Sequence, residues 1–278
     1  MRFDKRITAI RTDIASDYFK GLIRGRKFVK GNQYTVISSY SPLYSLKNSK
    51  LSTQLLYGEE CNVYETSNGW SWVQALRDGY VGYTPTKNLK KIRYNPTHKV
   101  TTLRTFIYSS SNIKSDIVDY LSFNSIVEVC GHKDNFYKIK NLGWCPKKDL
   151  SPVKSRNLNR VKMAKQFLDT PYLWGGRDSM GIDCSGLVQN IIQINNVYFP
   201  RDTDLQEVFV TKAVKFQKNL QAGDLVFWKG HIAMMIDNKN MIHANAYHMK
   251  TCIESLHTAK KRISRTNGDI IKFGRFRN

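Results

Sequence analysis

No stretch of the chain approaches the roughly 18 consecutive apolar residues that suggest a membrane-spanning helix. The longest buried-looking stretches, such as Leu225–Trp228 and Ile232–Ile236, are of strand length. The N-terminus carries basic residues, but Ile7–Ile10 is too short for the apolar region of a secretory signal, and Arg11 ends it. The expectation is therefore a cytoplasmic chain. Cysteine is sparse: five residues, at 61, 130, 145, 184 and 252, an odd number without tight spacing. That is not a disulfide framework and fits a reducing compartment. Acidic side chains are half as many as basic ones, 22 against 44 in 278 residues, for a formal charge of +22. Such an imbalance points to an anionic partner, either nucleic acid or a carboxylate-rich substrate. The basic residues are scattered along the whole chain, and no recognition-helix, zinc-finger or RNA-binding signature accompanies them. A lysine-rich solvated surface is the simpler reading, and no nucleic-acid partner is expected. What the composition does hold is globular, with 41% hydrophobic, 24% charged and 12% aromatic residues. At roughly 100–200 residues per domain, the length suggests one to three domains.

Two segments of roughly 60 residues repeat in tandem. Val36 answers Val100 and Tyr44 answers Tyr108, each 64 apart; Leu55, Val63 and Val73 answer Leu121, Val129 and Ile139, each 66 apart. Gly82 answers Gly143 and Leu89 answers Leu150, each 61 apart. Within the first unit Thr35–Ile37, Cys61–Tyr64, Ser71–Gln74 and Gly79–Tyr83 read as strands, with Asn68-Gly69 and Asp78-Gly79 as turns. Short strands at this density suggest a small barrel. The pattern resembles the bacterial SH3-like domain, whose last strand often carries a Gly-Tyr or Gly-Trp pair before a polar-x-Leu ending. Gly82-Tyr83 with Asn88-Leu89, and Gly143-Trp144 with Asp149-Leu150, match that ending.

After Leu150 the character changes. Ser151–Asn159 is a polar, proline-containing linker. Leu158, Val161, Ala164 and Leu168 then recur at helical spacing, with Asn157 or Asn159 as cap and Thr170-Pro171 as terminator. A Gly-rich stretch follows, then a second helix with Leu187, Val188, Ile191 and Ile192 on its buried side. Thr203 to Gln206 has capping-box spacing and opens a third helix. Asp224–Trp228, His231–Ile236 and Asn240–Ala244 read as strands. Helices first and an antiparallel sheet after is an α+β pattern.

The chemistry gathers in this second half. Cys184 begins a helix after a Gly-rich turn, in Asp183-Cys184-Ser185-Gly186. The partial positive charge of a helix start favours thiolate over thiol, and its free N–H groups could hold an oxyanion. A nucleophilic cysteine also needs a base near neutrality and a group to orient it. His231 opens one apolar strand and His243 lies in the next, so their imidazoles could sit side by side. Cysteine helix first and histidine strand later is the chain order of papain-like enzymes.

The blocks YLWGGRDSMGIDCSGLVQ, PRDTDLQ, LQAGDLVFWKGHIAMMID and MIHANAYHM resemble, in order, spacing and identity, those of the NlpC-type cysteine peptidase family, bacterial enzymes that cut peptides of the cell wall. Two SH3-like units ahead of the peptidase resemble a subgroup that processes free murein peptides. The resemblance implies an α+β papain-like peptidase domain over 153–278, preceded by two small all-β SH3-like barrels over 31–95 and 96–152 and an N-terminal extension over 1–30. It implies Cys184 as nucleophile, His231 as base and His243 as the orienting third member. Asp183 and Ser185 would help hold the substrate, Tyr172 and Trp174 would line the cleft, and Arg201 would meet a substrate carboxylate. Glu59 and Tyr80 match positions that in the subgroup grip the peptide's free amino terminus. The implied reaction is hydrolysis of the γ-D-glutamyl bond in L-Ala–γ-D-Glu–diamino acid, with no cofactor.

Plainer readings stand beside these. Glu59 could be a solvated turn carboxylate, Tyr80 a packed barrel residue, Arg201 a partner of Asp204, and Tyr172 and Trp174 core aromatics. His243, His248, Cys252 and His257 offer metal-ligand types, but their spacings lack the tight pairs usual for zinc, and no metal is expected. The remaining cysteines read as small apolar fillers. Alternatives of other kinds are a non-catalytic polyanion- or wall-binding protein and a related thiol acyltransferase or amidase.

Overall fold

The computed structural model describes residues 3–47 and 49–276. The chain divides into two compact units, one of Met1–Val100 with Arg104–Val153, the other of Thr101–Leu103 with Lys154–Asn278. Among the described residues no helix is long and apolar enough to cross a membrane.

In the first unit, seven strands between 32 and 90 form one antiparallel sheet, ordered Leu51–Leu56, Tyr40–Tyr44, Val81–Pro85, Trp70–Ala75, Glu60–Ser67, Asn32–Val36 and Leu89–Lys90. Asn68 and Gly69 both take positive φ, 51° and 76°, the two-residue turn that joins the fourth and fifth of these strands in chain order. Strands between 98 and 152 follow the same chain order but fall into a five-stranded and a three-stranded sheet. The repeat positions account for both interiors. Val36, Leu55, Val63, Val73 and Leu89 pack in one core. Val100, Leu121, Ile139 and Leu150 pack in the other, with Val129 against it. Gly82 and Gly143 also answer one another physically. A Cβ on Gly82 would lie 2.6 Å from the Tyr44 carbonyl oxygen, and one on Gly143 would lie 2.6 Å from that of Tyr108. In each set the closing strand therefore reaches its partner only because glycine is there.

Both sets lie in one compact unit rather than two. Tyr57 packs into the second core, and Arg77 donates to Asn124 Oδ1 at 2.7 Å. The N-terminal extension belongs to the first set: Ala9 and Ile14 pack with Tyr64, Trp72 and Val81. Arg11 pairs with Glu65 at 2.6 Å there.

The second unit is built on a five-stranded antiparallel sheet ordered Lys250–Ser255, Asn240–Asn245, His231–Met235, Leu225–Trp228, Lys272–Gly274. Alternate residues Val226, Trp228, Ala233, Met235 and Met241 pack against Leu256, Ala259 and Ile263 of the Leu256–Asn267 helix. Leu225, Phe227, Ile232, Met234 and Ile242 are buried as well, on the other face. A sheet covered on both faces has no polar alternation, which explains the continuous apolar runs. The Cys184–Gln193 helix is buried at every residue. The first helix of this unit is short, Arg160–Lys165, capped by Asn159. Of the expected stripe it buries Ala164, together with Met163, while Leu158 lies before its start and Leu168 beyond its end. The third runs Thr203–Phe209 with Asp202 at its cap, so Thr203 lies inside rather than capping it.

Candidate active site

The Cys184 helix is fixed at its start by Asp183. The Asp183 carboxylate caps the helix, accepting from the Gly186 N–H at 2.7 Å, and also holds the Gly-rich loop by accepting from the Gly175 N–H at 2.8 Å. The Ser185 hydroxyl donates to it at 3.1 Å. Arg201 completes the junction, donating to both Asp183 oxygens at 2.9 and 2.7 Å and to Ser185 Oγ at 2.7 Å. Gly186 is required here: a Cβ would lie 2.4 Å from the Gly176 carbonyl oxygen.

Arg201, expected to meet a substrate carboxylate, is 1% exposed with its guanidinium turned to protein acceptors. The physical reason is the buried charge of Asp183, which needs a cation beside it. Asp183 and Ser185 are likewise engaged in the junction. Tyr172 lies beside the thiol and Asp183: burial pushes its hydroxyl pKa up, and the charges of Cys184 and Asp183 add to the rise. Trp174 is 69% exposed, not a core aromatic.

The Cys184 sulfur lies beside the Ile232 N–H and the Thr203 side chain, so it is next to the start of the His231 strand. Among the described residues it makes no direct hydrogen bond to His231. Burial pushes the thiol up to about 11, and the charge of Asp183 adds to that, against the pull of the Ile232 N–H, Arg201 and Thr203. Burial also holds the His231 imidazole down at about 3, with His243 and Arg262 contributing. The resting pair is therefore neutral thiol and neutral imidazole. This differs from the thiolate expected from the helix start alone, because loss of solvation outweighs the helix end.

His231 and His243 do meet. His231 Nε2 lies 2.8 Å from His243 Nδ1, and His243 Nε2 lies 2.7 Å from Glu254 Oε1. Met235 pairs with Met241, which puts the odd-numbered residues of both strands, 231 and 243 included, on one face. Glu254 was not marked by any sequence motif. Burial raises its carboxyl pKa, but the His243 hydrogen bond and the His243 and Arg262 charges more than offset this, and it ends below its ordinary value. Arg262 of the following helix forms an ion pair with it. An ionised Glu254 accepts the His243 Nε2 proton. His243 Nδ1 then accepts from His231 Nε2–H, and His231 Nδ1 is left with a lone pair. The chain of bonds thus selects the tautomer that can take a thiol proton.

Glu59 and Tyr80 lie in the first unit. Glu59 is buried, not a solvated turn carboxylate: it accepts from the Leu56 N–H at 3.1 Å and from Arg77 at 3.2 Å. Tyr80 precedes its strand and packs in the first core.

Residues 169–267 match the model of the NlpC/P60 family, and residues 45–89 that of the bacterial dipeptidyl-peptidase Sh3 domain. The chain is 28% identical over 242 residues to a gamma-D-glutamyl-L-lysine dipeptidyl-peptidase of Bacillus cereus, covering 73% of this chain and 69% of the relative. It is 27% identical over 222 residues to a protein of the same name from Bacillus subtilis, covering 70% and 72%. The solved structure of an NlpC/P60 family protein from Bacillus cereus has a TM-score of 0.75 at 22% identity, over 88% of this chain and 99% of that one, and shares the fold.

Proposed function

We propose, with the NlpC/P60 domain over 169–267 as premise, that the chain is a cysteine endopeptidase cutting the γ-D-glutamyl–diamino acid bond of murein peptides with a free N-terminal L-Ala. The observation that carries the reading is the relay His231–His243–Glu254 beside a cysteine at the start of a buried helix. The names of two relatives support the choice of bond.

His231 Nδ1 takes the Cys184 proton as Sγ attacks the γ-carbonyl carbon of D-Glu, so the nucleophile becomes charged only as it bonds. The Cys184 and Ser185 N–H groups, in the first helical turn, have no acceptor within the helix and suit the oxyanion. The imidazolium, stabilised through His243 by Glu254, then gives its proton to the departing amine of the diamino acid. Water, deprotonated by the same nitrogen, hydrolyses the thioester and releases L-Ala–D-Glu. Trp174 and Tyr172 offer the apolar wall for the peptide.

The test is incubation of the purified chain with L-Ala–γ-D-Glu–L-Lys and with its diamino dicarboxylic counterpart, followed by product analysis. Free diamino acid is expected from wild type and not from Cys184→Ala. Intact tripeptides with wild type, or equal release by the variant, would overturn the reading; transfer of the acyl group to an added amine in place of water would favour an acyltransferase.

A further inference from the structure

At the outer end of the relay four potential metal-ligating side chains converge. One ring nitrogen each of His243 and His248, Cys252 Sγ and a Glu254 carboxylate oxygen all lie within 4.8 Å of one another. The hairpin makes this possible: His243 sits opposite Cys252 in the strand register, Glu254 is two residues further along, and His248 lies in the connecting turn. His257, which the sequence grouped with them, is outside the cluster. The spacing along the chain is loose, so folding and not sequence assembles the set.

The Asn245 side chain marks where these atoms point. Its Nδ2 lies 3.2 Å from His243 Nε2 and 3.4 Å from Cys252 Sγ, and its Oδ1 lies 3.0 Å from His248 Nδ1. Cys252 and His248 are themselves in contact, Sγ to Nδ1 3.4 Å. Two nitrogens, a thiolate and a carboxylate at zinc bond lengths in a tetrahedron lie about 3.3–3.7 Å apart. The cluster reaches that shape by small side-chain movements once the Asn245 amide swings out. A thiolate and a carboxylate balance the charge of a divalent ion, and Cys252 gives up its proton to solvent on binding. His248 is exposed and Cys252 and Glu254 are half-buried, so an ion can enter from solvent.

We propose that His243, His248, Cys252 and Glu254 form a zinc site that switches the peptidase off by reversing the tautomers of the relay. The switch rests on the relay reading above; the site itself does not. Metal on His243 Nε2 leaves the ring proton on Nδ1. His243 then donates to His231 Nε2, and the His231 proton moves to Nδ1, the nitrogen that has to receive the thiol proton. The ion also takes Glu254 away from the relay. The base is lost without any contact between metal and Cys184, and general-base catalysis typically contributes roughly 10²–10⁴ in rate.

The test uses the full chain freed of metal by chelator, with Co²⁺ as optical probe and Zn²⁺ as inhibitor. One equivalent of Co²⁺ is expected to bind with a thiolate charge-transfer absorption that survives in Cys184→Ala and disappears in Cys252→Ala. Zn²⁺ should weaken in binding to Cys252→Ala and to His248→Ala by more than the roughly 10–100-fold typical of outer-shell changes. The same concentrations should inhibit wild type but leave both variants, whose metal-free activity is retained, at least tenfold less sensitive. No stoichiometric binding, or an absorption lost in Cys184→Ala and kept in Cys252→Ala, overturns the site. Binding that follows the variants while inhibition does not overturns the switch and leaves the relay standing. Binding that follows them in a chain with no peptidase activity overturns switch and relay together.

Discussion

Cys184 is held between two opposing demands. The helix start, the Ile232 N–H and Thr203 favour its charged form, while burial favours the thiol and prevails, at about 11. A thiol raised in this way stays protonated below its pKa, and its reactivity climbs as pH rises toward it. Alkylation of Cys184 by iodoacetamide in the free protein, followed by mass spectrometry of its peptide, should increase tenfold per pH unit from neutrality up toward about 11. A rate already level below about pH 5 would instead reveal a thiolate–imidazolium pair and remove the neutral resting state. Cys184 and both histidines stand out in the sequence as a candidate site because each sits at a marked place: a helix start, a strand start, a strand centre. Glu254 does not. No motif marks Thr251-Cys252-Ile253-Glu254, and only the pairing of that segment with the His243 strand brings its carboxylate to the imidazole.

Among the elements, the junction of the Gly-rich loop, the Cys184 helix and the 201 loop depends on one buried ion pair. The Arg201 and Asp183 side chains are 1% and 9% exposed. Gln206 reinforces it, donating to the Ser185, Pro200 and Arg201 carbonyl oxygens at 3.0, 2.8 and 3.1 Å. Removing one partner leaves an uncompensated buried charge, which typically costs about 3–5 kcal/mol. Arg201→Ala should therefore shift the urea midpoint of the second unit sharply downward. Unchanged stability with a raised KM would mean that Arg201 serves the substrate and not the junction. Strong patterns made other elements readable: the apolar face of the Cys184 helix, the Asn68-Gly69 turn and the three runs from Leu225 to Asn245 lie where expected. The Lys250–Ser255 strand and the Leu256–Asn267 helix escaped notice. The helix carries apolar residues at 256, 259 and 263 among five basic or histidine side chains, so its buried stripe is narrow and its composition resembles a solvated tail. The first helix of that unit buries Ala164 as its spacing predicts, but it is capped by Asn159 and ends at Lys165, so Leu158 and Leu168 fall outside it.

For the molecule as a whole, charge is the property that no single element explains. With 44 basic and 22 acidic residues, +22 is spread over the chain, and a field of that kind acts on any ligand with a net charge before contact is made. The proposed tripeptide has one ammonium at L-Ala and one carboxylate at D-Glu, which cancel. A lysine in third place adds one of each and keeps the peptide neutral. A diamino dicarboxylic acid adds two carboxylates and one ammonium and makes the peptide an anion. Long-range attraction therefore distinguishes the two even though the bond to be cut is the same. Screening shortens the reach of that attraction to about 8 Å at physiological ionic strength. Raising NaCl from about 0.02 to about 0.3 M should thus lower kcat/KM several-fold for the dicarboxylic peptide and leave the lysine peptide nearly unaffected, with kcat steady for both. Equal slopes for the two peptides would mean that the basic surface takes no part in capturing substrate and serves only as a solvated exterior.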